Sequence, residues 1–110
     1  MVDKNFVRGE VYLVDLDPVR GQEIQKTHPC VIVSPDELNK HSRTFVVAPL
    51  TTGSFAYPFR VPCLFDRKQG HVVLDQIRAV DRERLVRKVG QLDSSALENC
   101  LDVLQAMFAR

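Results

Sequence analysis

The pattern of apolar residues changes once along the chain, near Gly90, and this change limits the folds open to it. Up to about Lys88, short segments rich in β-branched and aromatic residues alternate with turn residues, which is typical of β-strands. After Gly90, apolar residues follow the i, i+3, i+4, i+7 spacing of an amphipathic helix, at positions 97, 100, 101, 104, 107 and 108. We therefore predict one mainly β domain over residues 1–110, a small curled barrel with a C-terminal helix packed on its sheet.

The β-rich part of the chain contains six predicted strands. They cover residues 9–15, 30–34, 44–51, 57–64, 72–80 and 85–89. The polar stretch from Arg20 to Thr27 is predicted to be a long hairpin loop, and residues 34–38 a capped helical turn with Pro35 near its start. Asp93 or Ser94 is expected to cap the C-terminal helix, and Ser95 with Glu98 has the spacing of a capping box.

Composition indicates a folded domain and says little about function. Hydrophobic residues make up 45% of the chain and charged residues 26%, near the averages for soluble globular proteins. The apolar runs are far shorter than a membrane span, and the N-terminus lacks the apolar stretch of a secretory signal, so we expect a cytoplasmic protein without membrane association. The net charge of +1 does not by itself indicate a nucleic-acid partner.

The three cysteines, Cys30, Cys63 and Cys100, are predicted to be free and buried. Their number is odd, they are widely spaced, and each has apolar neighbours. A disulfide framework normally shows an even number of cysteines in a secreted chain. No Cys-x-x-Cys or His-x-x-x-His spacing suggests a metal site, so neither a metal nor another cofactor is expected.

Four motifs in a fixed order carry a resemblance to a known family. They are RGEVYLVDLDP from Arg8, GQE from Gly21 leading to His28-Pro29, VAPLTT from Val47, and LDQIR from Leu74 followed by Val80-Asp81. Each is weak alone, but in this order and spacing the chain resembles the MazF/PemK (Kid) toxins from Val7 to the terminal helix.

The resemblance implies a curled, SH3-like barrel of the CcdB/MazF type that forms a homodimer. It also implies a toxin of a type II toxin–antitoxin system, an endoribonuclease that cuts single-stranded RNA at specific sequences without a metal. The cut would proceed by attack of the ribose 2′-hydroxyl on the adjacent phosphate. The implied partners are RNA and a cognate antitoxin, whose acidic tail would dock in the RNA groove.

Two positions of the family site are predicted to be catalytic. Thr51 matches a threonine at the end of the third strand, whose hydroxyl can donate to a phosphate oxygen. His28 stands where the family places an arginine, immediately before Pro29. Histidine exchanges protons near neutral pH and can act as base or acid, but it offers neither a permanent charge nor a bidentate fork. Lys26 is a candidate source of the missing charge.

Asp75 is the third predicted catalytic residue, because it matches an aspartate that some family members use at the RNA site. A carboxylate there could accept from a base or transfer a proton, or it could be a structural partner for Arg78. Softer candidates for a phosphate track are Arg20, Lys40, Arg43 and Arg60. The predicted RNA-binding residues are Arg20, Gln22, Glu23, Lys26, Tyr57, Gln76 and Arg78.

Two other functions compete with the ribonuclease. The first is a gyrase poison of the CcdB type on the same barrel. Such toxins end in a tail with tryptophan, whereas this chain has no tryptophan and reads Met107-Phe108-Ala109-Arg110 at its end, which disfavours that function. The second is a catalytically weakened relative that serves as an antitoxin-binding module, an alternative that the histidine at position 28 leaves open.

Overall fold

The structure is a computed structural model, and it describes residues 5–16, 27–52 and 58–110. It contains seven strands, two α-helices and two 3₁₀ turns. The strands are β1 (Glu10–Asp15), β2 (Thr27–Ile32), β3 (Thr44–Thr52), β4 (Arg60–Phe65), β5 (Lys68–Val73), β6 (Arg78–Asp81) and β7 (Leu85–Gln91). The helices are α1 (Asp36–His41) and α2 (Ser94–Phe108), and the 3₁₀ turns are Leu74–Gln76 and Arg82–Arg84.

All strand pairings are antiparallel, in the order β4-β5-β3-β2-β1-β7, with β6 also paired to β3. The predicted mainly β fold with a C-terminal helix is therefore confirmed. Within the described residues the edge strands β4 and β7 do not pair, so the curled sheet is not closed. Its curl nevertheless brings the two edges together, because a Cβ atom added at Gly90 would lie 2.7 Å from the ring of Phe65.

Strand β3 serves both halves of the sheet, and the prediction of one strand over residues 72–80 is wrong for this reason. Residues 44–47 of β3 pair with β6, whereas residues 50–52 pair with β5 on the same side. Pro49 lies at the change of partner, where its missing N–H removes a ladder hydrogen bond. The chain crosses this gap in the 3₁₀ turn Leu74–Gln76, which anchors the buried Leu74.

Two hydrophobic cores lie on opposite faces of the sheet, as the alternation of side chains along a strand requires. One core joins the inner face of the curl to α2 and includes Val31, Leu50, Val72 and Cys100. The other packs Cys30, Ile32, Phe45 and Val47 beneath the ring of Phe6, among other residues. Neighbouring positions of β1, β2 and β3 enter different cores, so each of these three strands contributes to both cores.

Helix α2 follows only part of the predicted stripe of residues 97, 100, 101, 104, 107 and 108. Leu97, Cys100, Leu104 and Met107 pack in or against the first core, but Phe108 is 72% exposed. Asp93 caps the helix, since its carboxylate accepts from the backbone N–H of Ala96 at 3.1 Å. In the described part of the chain, no helix is long and apolar enough to cross a membrane.

Other element boundaries differ from the predictions by a few residues. Strand β2 begins at Thr27, not at Cys30, and therefore includes His28 and Pro29. The predicted turn at 34–38 is a longer helix, where the buried Asn39 is held by Ser34, which donates to its side-chain oxygen at 2.6 Å. Strand β4 begins at Arg60, and Tyr57 lies outside the described residues.

Candidate active site

His28 replaces a backbone donor that Pro29 lacks. The N–H of Val33 donates to the carbonyl of Val46, so the odd-numbered positions of β2 direct their backbone groups toward β3. Position 29 would then donate to the carbonyl of Leu50, but proline has no N–H. The Nε2 atom of His28 lies 2.7 Å from that carbonyl oxygen and donates to it.

This hydrogen bond fixes the role of each nitrogen in the ring of His28. A carbonyl oxygen can only accept, so Nε2 carries the proton. In the neutral ring, Nδ1 is then the acceptor and can take a proton. His28 is half-buried, so the ring is held by the sheet while it remains within reach of solvent. The geometry is that of an oriented general base.

Three polar side chains form a row across the sheet at the half-buried edge of one face. Thr51 is the register partner of His71 on β5. On the other side, Cys30 pairs with Pro49, and continuing that register by two residues places His28 opposite Thr51. Register partners in antiparallel strands share a face, with Cβ atoms about 4.5–5.5 Å apart. We call His28, Thr51 and His71 the His–Thr–His row.

The backbone of Thr51 is placed by a close approach of β5. A Cβ atom added at Gly70 would overlap the carbonyl oxygen of Thr51, so only glycine allows β5 to approach β3 so closely at this point. The hydroxyl of Thr51 is half-exposed, and its hydrogen bond within the described residues is a long one of 3.5 Å to the carbonyl of Thr52. It is thus positioned to donate to a ligand oxygen.

Asp75 forms an ion pair with Arg60 and not with Arg78. Its Oδ1 lies 3.7 Å from Nε of Arg60, and the two side chains are 32% and 19% exposed. Arg60 pairs with Val73 in β4–β5, two residues from the pair of Pro62 with His71. Because side chains two positions apart share a face, the guanidinium belongs to the same face as the His–Thr–His row and supplies positive charge beside it.

Arg78 and Gln76 are exposed and lie farther from the row. Arg78 pairs with Val47, four residues along β3 from Thr51, which is about 13 Å at the rise of a strand. It shares the face of the row by alternation. Its charge reaches Cys30: burial raises the pKa of that thiol to about 12, and Arg78 opposes the rise.

Five of the ten predicted site residues lie outside the described residues: Arg20, Gln22, Glu23, Lys26 and Tyr57. Of the other five, the extended β2–β3 register sets His28 opposite Thr51, Asp75 pairs with Arg60, Arg78 lies farther along β3, and Gln76 is exposed in the 3₁₀ turn. Among residues 5–16, 27–52 and 58–110, no group of three or more metal-ligating side chains is found.

Sequence reasoning missed His71 and gave Arg60 only a minor role. The predicted fifth strand began at Val72, which left His71 outside any strand and without a face. Strand β5 in fact begins at Lys68. The sequence does contain a signal for His71: if residues 70–73 form a strand, side chains alternate between its two faces. His71 then lies on the face opposite to that of Val72.

The fold is shared with solved MazF structures. The structure superposes on MazF in a solved MazE–MazF structure from Deinococcus radiodurans with a TM-score of 0.81, at 23% identity, over 96% of each chain. It also resembles a mycobacterial endoribonuclease solved with its cognate antitoxin, with a TM-score of 0.75 at 26% identity over 91% of each chain.

Sequence comparison gives the family. Residues 7–108 match the model of the PemK-like, MazF-like toxins of type II toxin–antitoxin systems, and the chain belongs to this family. It is 35% identical to the endoribonuclease MazF of Staphylococcus epidermidis, over 87% of this chain and 88% of that protein. It is 31% identical to the endoribonuclease EndoA of Bacillus subtilis, over 93% of each.

Proposed function

We infer that this protein is the toxin of a type II toxin–antitoxin pair and acts as an endoribonuclease on single-stranded RNA. The observation that supports it most is the imidazole of His28, which is held by the carbonyl of Leu50 at the position that the extended β2–β3 register sets opposite Thr51. Family membership and the endoribonuclease relatives give the reaction class. The residues of this chain give the chemistry.

In this proposal the 2′-hydroxyl of the RNA attacks the adjacent phosphorus, and no metal takes part. Nδ1 of His28 accepts the 2′-proton, because Nε2 is already committed to Leu50. The hydroxyl of Thr51 donates to a non-bridging phosphate oxygen and stabilises the charge that develops there. These two roles need a base and a donor on one face, a few ångströms apart, which is the arrangement in the His–Thr–His row.

Arg60 is proposed to supply the positive charge that a histidine at position 28 cannot hold permanently. The guanidinium shares the face of the row, and Asp75 fixes its orientation through the ion pair. Asp75 thus acts at the site together with Arg60. A buried or half-buried charge of this kind is screened less by solvent than a surface lysine is.

The remaining roles extend the proposal to RNA and antitoxin binding. Gln76 and Arg78 are both exposed and would contact bases and phosphates beyond the scissile group. Arg20, Gln22, Glu23, Lys26 and Tyr57 are proposed to complete the RNA groove. We further propose a homodimer in the cytoplasm that is neutralised by a cognate antitoxin whose acidic tail occupies that groove, in keeping with the relative solved with its antitoxin.

The test is cleavage of a long RNA by the purified protein in EDTA. Wild type should give discrete fragments. His28→Ala should lower the rate by about 10²–10⁴-fold, the usual contribution of a general base. His41→Ala is the matched control, because His41 is exposed at the end of α1, and it should cut like wild type.

A second variant separates the structural from the chemical role of His28. His28→Gln offers a side-chain N–H to the carbonyl of Leu50 but cannot exchange protons, so it should recover stability lost in His28→Ala without recovering cleavage. Normal cleavage by His28→Ala would overturn the catalytic role. No fragments from wild type with any RNA would overturn the endoribonuclease function and favour an antitoxin-binding module.

A further inference from the structure

We propose that His71 is a second catalytic imidazole, the general acid that protonates the 5′-oxygen leaving group during RNA cleavage. This inference rests on the proposed endoribonuclease function and adds a residue to it. It comes from the His–Thr–His row, in which Thr51 has an imidazole-bearing strand on each side.

The spacing of the two histidines suits a phosphate held at Thr51. Neighbouring strands lie about 4.8 Å apart, so the Cα atoms of His28 and His71 are separated by about 10 Å across β3. Their side chains rise from the same face, because both positions share a register line with Thr51. Both residues are half-buried. A phosphate oxygen bound by the hydroxyl of Thr51 would therefore lie between the two rings.

In-line displacement needs the base and the acid on opposite sides of the phosphorus. The 2′-oxygen enters on one side while the 5′-oxygen leaves on the other. His28 is assigned to the entering side, because the hydrogen bond to Leu50 leaves Nδ1 as its proton acceptor. His71 then lies on the leaving side, two strands away from His28.

The step balances without a co-reactant. The proton of the 2′-hydroxyl passes to Nδ1 of His28 as the bond from the 2′-oxygen to phosphorus forms. The bond from phosphorus to the 5′-oxygen breaks, and a ring nitrogen of protonated His71 gives its proton to that oxygen. The products are a 2′,3′-cyclic phosphate and a 5′-hydroxyl, and solvent returns each imidazole to its starting state.

Neither Arg60 nor Asp75 is assigned the role of general acid. Arginine keeps its proton in proteins and can only stabilise charge. The carboxylate of Asp75 lies 3.7 Å from the Nε of Arg60 and is held in that ion pair, in the turn after β5 and outside the row. Of the three residues in the row, Thr51 is assigned to the phosphate oxygen and His28 to the 2′-proton, so the imidazole of His71 is the remaining side chain that can transfer a proton.

The experiment compares two substrates that differ only in their need for an acid. Cleavage sites are first mapped with wild type on a long RNA. A short RNA with one such site is then made in two forms, one with the natural 5′-oxygen and one with sulfur as the bridging atom of the scissile bond. A thiolate leaves without a proton, so the sulfur substrate does not require a general acid.

His71→Ala should lower cleavage of the natural RNA by about 10²–10⁴-fold, the range expected for proton transfer. On the sulfur substrate it should cut within about tenfold of wild type, because that substrate removes the step that needs the acid. His28→Ala should lose activity on both substrates. His71→Asn, which keeps a polar side chain but transfers no proton, should repeat the result if the alanine variant is unstable, and His41→Ala should match wild type on both.

Equal losses of His71→Ala and His71→Asn on both substrates would overturn the proposal and make His71 a structural residue. Unchanged cleavage of the natural RNA would overturn it as well. Failure of wild type to cut any RNA would instead contradict the proposed function itself, and it would be seen at the mapping step, before either histidine is varied.

Discussion

The Cα of Gly70 faces the carbonyl of Thr51 so closely that no side chain fits between β5 and β3 at this point. The contact is with backbone, which cannot turn aside as a flexible side chain can. Gly70→Ala must therefore push β5 away from the strand that carries Thr51. We expect a loss of about 1–3 kcal/mol in the free energy of unfolding, the usual cost of overpacking, measured by urea denaturation.

The same variant should also lose RNA cleavage, because the shift separates Thr51 from His71. Gln69→Ala is the control: it alters the neighbouring, exposed position of the same strand and should leave both stability and cleavage unchanged. A stable, fully active Gly70→Ala protein would show that the site tolerates displacement of β5.

Substitutions at Thr51 should separate its hydroxyl from its shape. Thr51→Val keeps the β-branched side chain and removes the donor, and we expect cleavage to fall by about 10²–10³-fold, as for loss of one donor to a developing oxyanion. Thr51→Ser keeps the donor and should retain most of the activity. Single-turnover cleavage rates measure this. Equal activities of the valine and serine variants would remove the hydroxyl from the mechanism.

Two ion-paired arginines should respond differently to the same change. Arg60→Gln should lower cleavage by about 10²-fold or more, because a half-buried guanidinium beside the phosphate is lost. Arg43→Gln is the matched control: Arg43 is 67% exposed and pairs with Asp81 and Glu83 on the surface, so cleavage should not change.

The partner of Arg60 gives a further check on the same pair. Asp75→Asn should reduce activity less than Arg60→Gln does, because it misplaces the guanidinium without removing its charge. A double-mutant cycle measures the coupling. Additive losses, with no coupling between positions 60 and 75, would contradict the assignment of Asp75 to the orientation of Arg60.

The buried thiols should make the protein less stable at alkaline pH. Burial raises the pKa of Cys100 from 9.0 to about 12, helped by Cys63 and Asp93, and burial likewise raises the pKa of Cys30 to about 12 against the opposing charge of Arg78. Above pH 9 the unfolded chain loses these protons while the folded chain keeps them. Each thiol should then lower the free energy of unfolding by up to about 1.4 kcal/mol per pH unit until the folded thiol also ionises near pH 12.

Urea unfolding at about pH 8, 9.5 and 10.5 measures this slope, because these values lie below and above the pH at which the unfolded thiols ionise. A Cys30→Ala, Cys100→Ala double variant removes both groups and should show a shallower decline than wild type over the same range. Parallel declines of the two proteins would mean that the thiols are not the groups responsible.

The sequence predicted the class of fold because two periodicities dominate it. The apolar stripe of α2 and its cap at Asp93 could be predicted because each is a local pattern. The predicted bounds of β1 and β3 also agree with the structure to within one residue. The break between β5 and β6 could not be predicted, because residues 72–80 have the composition of one continuous β-strand. The segment is divided because its partner strand β3 changes pairing at Pro49. The sequence of residues 72–80 alone does not reveal which strand it pairs with.

The site was predicted in part for a similar reason. His28 and Thr51 follow from motif positions in the sequence, and the register of β2 against β3, extended by two residues, sets them opposite one another. The ion pair of Asp75 with Arg60 joins a 3₁₀ turn to strand β4 and has no local signal, whereas the sequence offered Arg78 as the structural partner of Asp75, as an alternative to a catalytic role. His71 depends on the register of β5 against β3, which only the fold defines.

The shared strand β3 ties together two regions that would otherwise be separate modules. One stretch of nine residues pairs with β2 on one side and with β6 and then β5 on the other, and it contributes side chains to both cores. Neither half of the sheet can open without disturbing the other. Amide exchange near Val47 and Ala48 should consequently require global opening, and the protein should lose its architecture in one cooperative transition.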